Sequence, residues 1–285
     1  MTGYSCYFNT IYIVESLPAS ERKTGAELFN KVISPIVSKQ SDQSAFYKVV
    51  SNKQDFFDTL TAIKEECVQQ NRGPLLHIEC HGHKDGLGLE SGEFVTWAEL
   101  KPYLTNLNQI SKLNLLVVLA ACSGIFLGQT LSLNDRAPVW GIIGPNETIY
   151  DSALIADFSN FYTEFFTSFD GVKALEKLLL FLPNQKSQYS FINAEFFFKR
   201  VFVNYLDNYC NEAALKKRED EIVSQIKNKT PEYEPLLRAN LQKDLRSYEK
   251  VFNQFREQFF FVDIAPENLN RFSISYENIL KEASI

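Results

Sequence analysis

Short apolar runs that alternate with helical patterns most strongly constrain how this chain can fold. Residues 74–80 (PLLHIEC) form one such run and residues 113–121 (LNLLVVLAA) form another, with a helical pattern over 97–107 between them. Strands of a parallel sheet look like this because helices cover both faces, so polar residues do not alternate along the strand. The same alternation recurs, with strands expected at 7–14, 45–50 and 138–143 and helices at 19–37, 55–70 and 151–166. The sequence predicts an α/β fold around a largely parallel sheet.

The pattern changes near Pro183. Beyond it the sequence is helical and rich in phenylalanine, with one stripe at Phe198, Phe202, Tyr205 and Tyr209 and a second at Leu241, Leu245, Tyr248, Phe252, Phe255 and Phe259. Stripes of this kind are typical of a buried helix face, and a partner-binding surface is the alternative. We therefore expect one domain over residues 1–183 and a mainly α-helical extension over 184–285.

Composition excludes several classes of function. The net charge of −6, without a compensating basic stripe, argues against direct binding of nucleic acid. No apolar run approaches the roughly 20 residues that span a bilayer. The five cysteines form an odd set without paired spacing, which favours a reducing compartment over a disulfide framework. We expect a soluble, cytoplasmic protein.

Two of the apolar runs end in residues that carry chemistry. His81 and Gly82 follow the first run, and Cys122 follows the second, with Ser123 and Gly124 after it. Carboxyl ends of neighbouring parallel strands meet at one edge of a sheet, which would bring a thiol and an imidazole together. A thiol and an imidazole are the minimum set of groups for nucleophilic catalysis by cysteine.

Each residue of this group has an expected role. Cys122 is the candidate nucleophile, and His81 is the candidate base, because imidazole can exchange a proton with a thiol at neutral pH. The backbone N–H groups of Gly82 and Cys122 are candidates for an oxyanion hole. Glycine at position 82 leaves room for a substrate carbonyl to approach.

A metal site is an alternative for the histidines. All three histidines, His77, His81 and His83, fall within ten residues together with Glu79 and Cys80. Strand alternation places His77, Glu79 and His81 on one face, and imidazole and carboxylate are good zinc ligands. His77 lies deep in the strand, however, so a core histidine held by hydrogen bonds is the favoured interpretation.

Together these segments resemble a known family. LHIECHG at 76–82 and LVVLAACSG at 116–124 are similar to the histidine and cysteine blocks of caspase-like (clan CD) cysteine peptidases, especially the bacterial CHAT group. VWGIIGP at 139–145, followed by acidic residues and a helix that carries Phe161 and Tyr162, is similar to the next block of that group. The resemblance covers about residues 7–180. His83, a second imidazole, and the aromatic helical extension depart from the family pattern.

The resemblance implies a three-layer α/β/α sandwich and a peptidase that cleaves protein substrates. It implies Cys122 as nucleophile, His81 as general acid and base, and Gly82 with the Cys122 amide as the oxyanion hole. It implies neither a metal nor another cofactor, and no membrane association. Its bacterial members often serve immunity systems in which a sensor or activating partner releases the protease.

Substrate preference stays open between two alternatives. Asp85, Glu147 and Asp151 lie on loops where a carboxylate could bind a basic side chain of the substrate. Apolar residues after Gly124, at positions 125–127, could instead line an apolar pocket. A catalytically silent interaction module built on the same fold is the alternative to an enzyme.

Overall fold

The computed structural model describes residues 6–121, 126–127, 130–183, 186–226 and 230–283. The chain divides into two compact units. The first comprises Met1–Leu131 and Arg136–Ala194, and the second comprises Ser132–Asp135 and Glu195–Ile285. All the strands that the structure describes lie in the first unit.

An eight-stranded sheet forms the centre of the first unit. Its main path runs β2-β1-β3-β6-β7-β8, and every neighbouring pair is parallel except β7 and β8. Beyond this path, β4 and β5 extend the end of β3 as an antiparallel hairpin. The strands are β1 (Thr10–Ser16), β2 (Ser44–Val49), β3 (Pro74–His83), β4 (Gly86–Gly88), β5 (Phe94–Thr96), β6 (Leu116–Ala120), β7 (Gly141–Pro145) and β8 (Tyr189–Asn193).

Helices flank this sheet in two groups. In one group the helices Thr24–Leu28, Ser34–Val37 and Gly171–Glu176 each pack on the helix Asp151–Ser168, and in the other Lys53–Gln70 packs on Trp97–Ile110. The predicted three-layer α/β/α sandwich with a mostly parallel sheet is confirmed. The helices are α1 (Thr24–Leu28), a π-helical turn (Phe29–Ile33), α2 (Ser34–Val37), α3 (Lys53–Gln70), α4 (Trp97–Ile110), α5 (Asp151–Ser168) and α6 (Gly171–Glu176).

The helix boundaries follow from capping residues. Asn52 precedes α3, and its side chain accepts a hydrogen bond from the backbone N–H of Asp55. Thr96 and Glu99 form a capping box at the start of α4. Both arrangements satisfy N–H groups that lack partners within the first turn of a helix. The first helix begins at Thr24 rather than at residue 19, so residues 17–23 form a loop after β1.

The core lies on both sides of the central strands. Every residue of β1 and β6 is buried, as are the first seven residues of β3. This burial explains why their sequences are continuous apolar runs. The helical pattern after residue 183 does not predict β8, which lies at the edge of the sheet and pairs with β7.

The second unit has an aromatic core. The rings of Phe198 and Phe255 stack with centroids 4.5 Å apart, and Phe202 contacts Phe252 at 5.2 Å. The predicted burial of the stripes is confirmed at these positions, whereas Tyr209 is exposed. The second stripe is divided between two helices, because the helix Glu234–Leu245 ends before the helix Tyr248–Phe259 begins.

The helices of this unit are α7 (Ala194–Tyr209), α8 (Glu212–Gln225), α9 (Glu234–Leu245), α10 (Tyr248–Phe259), α11 (Asn268–Arg271) and α12 (Tyr276–Ala283). Among the helices of both units that the structure describes, none has the length and apolar character needed to cross a membrane.

Candidate functional site

β3, which contains His81, and β6, which ends two residues before Cys122 in the sequence, are neighbours. β3 pairs in parallel with β6, and the register runs from Leu75 opposite Leu116 to Glu79 opposite Ala120. His81 follows Glu79 by two residues, and Cys122 follows Ala120 by two residues in the sequence. Cys122 itself, with Ser123, Gly124 and Ile125, lies outside the described residues.

His81 stands at the carboxyl edge of the sheet. Its side chain is 58% exposed, and its Nε2 atom lies 2.9 Å from Oε2 and 3.1 Å from Oε1 of Glu21. Glu21 belongs to the loop after β1, the strand on the other side of β3. The sequence pattern does not single out Glu21, because a helix predicted from residue 19 hides it. The rule that functional groups follow parallel strands could have found it.

The hairpin fixes the backbone around Gly82. Gly82 lies opposite Leu87, and His81 lies opposite Gly88. Gly86 has a φ of 157°, and a Cβ atom there would lie 2.0 Å from the carbonyl oxygen of Val95. Only glycine fits that position, so the turn after His83 is closely constrained. The predicted hairpin at residues 86–96 is confirmed.

His83 has a different partner from His81. Its Nδ1 atom accepts a hydrogen bond from the backbone N–H of Asp85 at 3.2 Å, and the Asp85 carboxylate lies 3.3 Å away. The ring of Phe94 packs against the imidazole at 5.8 Å between centroids. The predicted substrate-binding residue Asp85 therefore interacts with His83, apart from the pair of His81 and Glu21.

The other two predicted carboxylates follow β7, which β6 separates from β3. Glu147 is exposed, and its Oε1 atom lies 3.5 Å from Nε2 of Gln188. Asp151 is the first residue of α5. The pKa of Arg22 is raised mainly by its hydrogen bond to Glu27, and Asp151 adds a smaller contribution. Asp151 therefore interacts electrostatically with the loop that carries Glu21.

A buried polar network lies within the sheet, on the same face of β3 as His81. His77 is fully buried; its Nδ1 atom lies 2.8 Å from the hydroxyl of Tyr162, and its Nε2 atom lies 2.9 Å from Oε1 of Glu79. With hydrogen on Nε2, the tyrosine donates to Nδ1 and the imidazole donates to the carboxylate. His77 is therefore a core residue held by hydrogen bonds, as the sequence predicts.

Two buried carboxylates complete this network. The second oxygen of Glu79 accepts a hydrogen bond from the hydroxyl of Thr24 at 2.7 Å. Glu15 accepts one from the backbone N–H of Gly25 at 2.7 Å and one from the hydroxyl of Tyr47. All four carboxylate oxygens thus have a donor, which makes burial of two acidic side chains tolerable. Burial raises the pKa of Tyr162, and the charge of Glu79 raises it further.

This arrangement does not support a metal site on the histidines. Both nitrogens of His77 have hydrogen-bond partners, and His81 and His83 interact with different carboxylates. In the part of the chain that the structure describes, no group of three or more His, Cys, Asp and Glu side chains is arranged to hold a metal ion.

Two other thiols of this unit are poor nucleophiles. Cys80 precedes His81 but is buried in the sheet, and burial raises the pKa of its thiol. Burial also raises the pKa of Cys67 to about 11. Because the thiolate is the reactive form, neither residue is a plausible replacement for Cys122.

No protein-family model matches the chain, and no curated protein sequence matches it. The class of protein is therefore defined by its own geometry: a three-layer α/β/α protein whose mostly parallel sheet carries an exposed imidazole at its carboxyl edge.

Proposed function

We propose that the protein is a cysteine peptidase in which Cys122 is the nucleophile and His81 is the general base and acid. The observation that carries this proposal is the register of β3 and β6, which ends with Glu79 opposite Ala120. His81 and Cys122 each follow this pair by two residues in the sequence. Exposure of His81 at that edge leaves it accessible to a substrate.

The reaction needs His81 to accept a proton in one step and to return it in the next. His81 takes the proton of the Cys122 thiol, and the sulfur attacks the carbonyl carbon of the scissile peptide bond. In this proposal the N–H groups of Gly82 and Cys122 donate hydrogen bonds to the oxyanion. His81 then gives its proton to the leaving amine as the C–N bond breaks. Water, deprotonated by His81, hydrolyses the thioester and regenerates the thiol.

The resemblance to the CHAT group extends this proposal to the protein's partners. We infer a protein substrate, a sensor or activating protein, and a role as a protease in bacterial antiviral defence, in the cytoplasm and without a cofactor. Asp85, Glu147 and Asp151 remain proposed substrate-binding residues, because all three lie on segments that follow β3 or β7.

The decisive experiment compares new protein termini in cells. Cells that express the wild-type chain together with its neighbouring genes are triggered and compared with cells that express Cys122→Ala or His81→Ala. We expect specific new termini with the wild-type chain and none with either variant. The cysteine control is Cys67→Ala, and the histidine control is His83→Ala. Both controls should retain cleavage.

An electrophilic peptide probe supplies the second measurement. Under the same activating conditions it should label the wild-type chain at Cys122 and leave the Cys122→Ala chain unlabelled. Cleavage that persists in Cys122→Ala would refute the assignment. Failure of the probe and absence of new termini would favour the silent interaction module.

A further inference from the structure

Within the part of the chain that the structure describes, the imidazole of His81 pairs with the carboxylate of Glu21. Both carboxylate oxygens lie within hydrogen-bonding distance of the same nitrogen, Nε2, at 2.9 and 3.1 Å. Neither residue is buried, since the side chains are 58% and 42% exposed. An ion pair in such a setting is usually weak, because water screens the charges and two mobile side chains must be ordered. The contact therefore gains significance only if the loop holds Glu21 in place.

The loop that carries Glu21 is fixed at both ends by buried groups. At its start, the hydroxyl of Ser16 accepts a hydrogen bond from the backbone N–H of Glu90 at 3.0 Å. At its end, Thr24 donates to Glu79 and Gly25 donates to Glu15, each at 2.7 Å. Both carboxylates belong to the central strands, so the position of the loop is tied to the sheet.

Contacts within the loop fix it further. The backbone N–H of Glu21 donates to the carbonyl oxygen of Pro18 at 3.0 Å, which closes a turn. The ammonium group of Lys23 donates to the carbonyls of Leu17 and Pro18. These bonds leave the backbone of Glu21 little freedom. Less conformational entropy is therefore lost when its side chain contacts His81.

We propose that Glu21 is a positioning residue that holds the hydrogen of His81 on Nε2 and leaves Nδ1 to accept and return the catalytic proton. This assignment rests on the proposed function. A carboxylate on one imidazole nitrogen fixes the tautomer and ring orientation, and stabilises the imidazolium that forms when the other nitrogen takes a proton.

The first test measures catalysis. In an assay with a peptide that spans a cleavage site identified from the new termini, Glu21→Ala should lower kcat by about three- to tenfold with little change in KM, because an exposed ion pair contributes modestly. Glu21→Gln keeps a hydrogen-bond acceptor and loses the charge, so its kcat should fall less. Glu27→Ala is the matched control, since Glu27 is a glutamate of the next helix that pairs with Arg22 and Lys31. It should leave kcat unchanged.

The second test does not need activity. In protein with ¹⁵N-labelled histidine and the background substitution Cys122→Ala, the Nε2–H proton of His81 should be visible and slow to exchange with water. His81→Gln identifies its signal. Glu21→Ala should speed the exchange, whereas Glu27→Ala should not. Unchanged exchange in Glu21→Ala, or hydrogen found on Nδ1 of His81, would overturn the assignment.

The two tests separate the two proposals. If the wild-type chain has no peptidase activity and the exchange still responds to Glu21→Ala, the proposed function fails while the contact is real, and Glu21 has no positioning role in catalysis. If the chain is an active peptidase and kcat is unchanged in Glu21→Ala, only the role of Glu21 is refuted.

Discussion

His77 and His81 lie four residues apart on β3, and each meets a glutamate. The first pair, His77 with Glu79, is buried in the core, and every polar atom of the two side chains that can accept or donate has a partner. The second pair, His81 with Glu21, is largely exposed at the sheet edge. The same two residue types thus stand in opposite surroundings on one strand.

This contrast shows that depth along the strand decides what a histidine can do. At His77 both ring nitrogens have hydrogen-bond partners, and loss of either partner would leave an unpaired polar atom in the core. At His81 one nitrogen meets Glu21, and the ring remains accessible to solvent. The buried pair therefore stabilises the fold, and the exposed pair is suited to chemistry.

The largest expected effect comes from breaking the buried pair. Glu79→Ala should reduce the free energy of unfolding by about 3–5 kcal/mol, because it leaves Nε2 of His77 and the hydroxyl of Thr24 without partners in the core. Glu21→Ala should cost less than about 1 kcal/mol. Urea unfolding followed by tryptophan fluorescence measures this difference in the first unit, which contains both tryptophans, Trp97 and Trp140. Equal losses in the two variants would contradict the contrast.

A smaller effect is expected from crowding the buried carboxylates. A Cβ atom on Gly25 would lie 2.9 Å from Cγ of Glu79, 3.0 Å from Oε1 of Glu15 and 3.2 Å from Cγ2 of Ile13. Gly25→Ala should therefore reduce the free energy of unfolding by about 2 kcal/mol.

The matched control for this substitution is Gly171→Ala. Gly171 also lies at the start of a helix, but the nearest atom to its added Cβ would be 3.8 Å away. That variant should be neutral or more stable by up to about 1 kcal/mol, because alanine restricts the unfolded chain. The same urea titration compares both variants. A Gly25→Ala chain as stable as Gly171→Ala would show that the buried carboxylates can shift to accommodate the added Cβ atom, which would contradict the prediction.

Among the substitutions in the buried network, the smallest stability effect is expected at Tyr162. Tyr162→Phe removes the donor to Nδ1 of His77 and should cost about 1–2 kcal/mol at neutral pH. The substitution should also change how the free energy of unfolding depends on pH above neutrality. Burial raises the pKa of Tyr162 well above its usual value, whereas the same residue in the unfolded chain loses its proton near pH 10.

The sign of this pH dependence follows from linkage. Above about pH 10 the unfolded chain releases the Tyr162 proton and the folded chain keeps it, so the free energy of unfolding falls as the pH rises. Tyr162→Phe removes that contribution. Urea unfolding at pH 8 and at about pH 10.5 should show a smaller loss of stability in the variant than in the wild-type chain. An identical loss in both would mean that Tyr162 ionises equally in both states.

Several features could be predicted from the sequence because they depend on local pattern. The apolar runs at 74–80 and 113–121 predict β3 and β6, since strands covered on both faces need apolar side chains throughout. The turn glycines predict the hairpin after His83. A lone histidine inside an apolar run is favoured as a core residue, and His77 is one.

Other features depend on residues far apart in the sequence. Glu21 is 60 residues from His81, and no local pattern links them. Tyr162 is 85 residues from His77, and its hydrogen bond depends on where α5 packs. β8 has a sequence compatible with a helix, and its pairing with β7 decides its conformation, because strand propensity depends on context.

The sequence by itself determined the central strands, the parallel class of the sheet and the burial of His77, because apolar periodicity and turn chemistry act over a few neighbouring positions. Only the tertiary structure decided the edge strand β8 and which glutamate each histidine meets. The physical reason is that burial and hydrogen bonding are properties of the packed chain: β1, β2, α1 and α5 supply the groups that surround His77 and Glu79, while the loop after β1 brings Glu21 to His81.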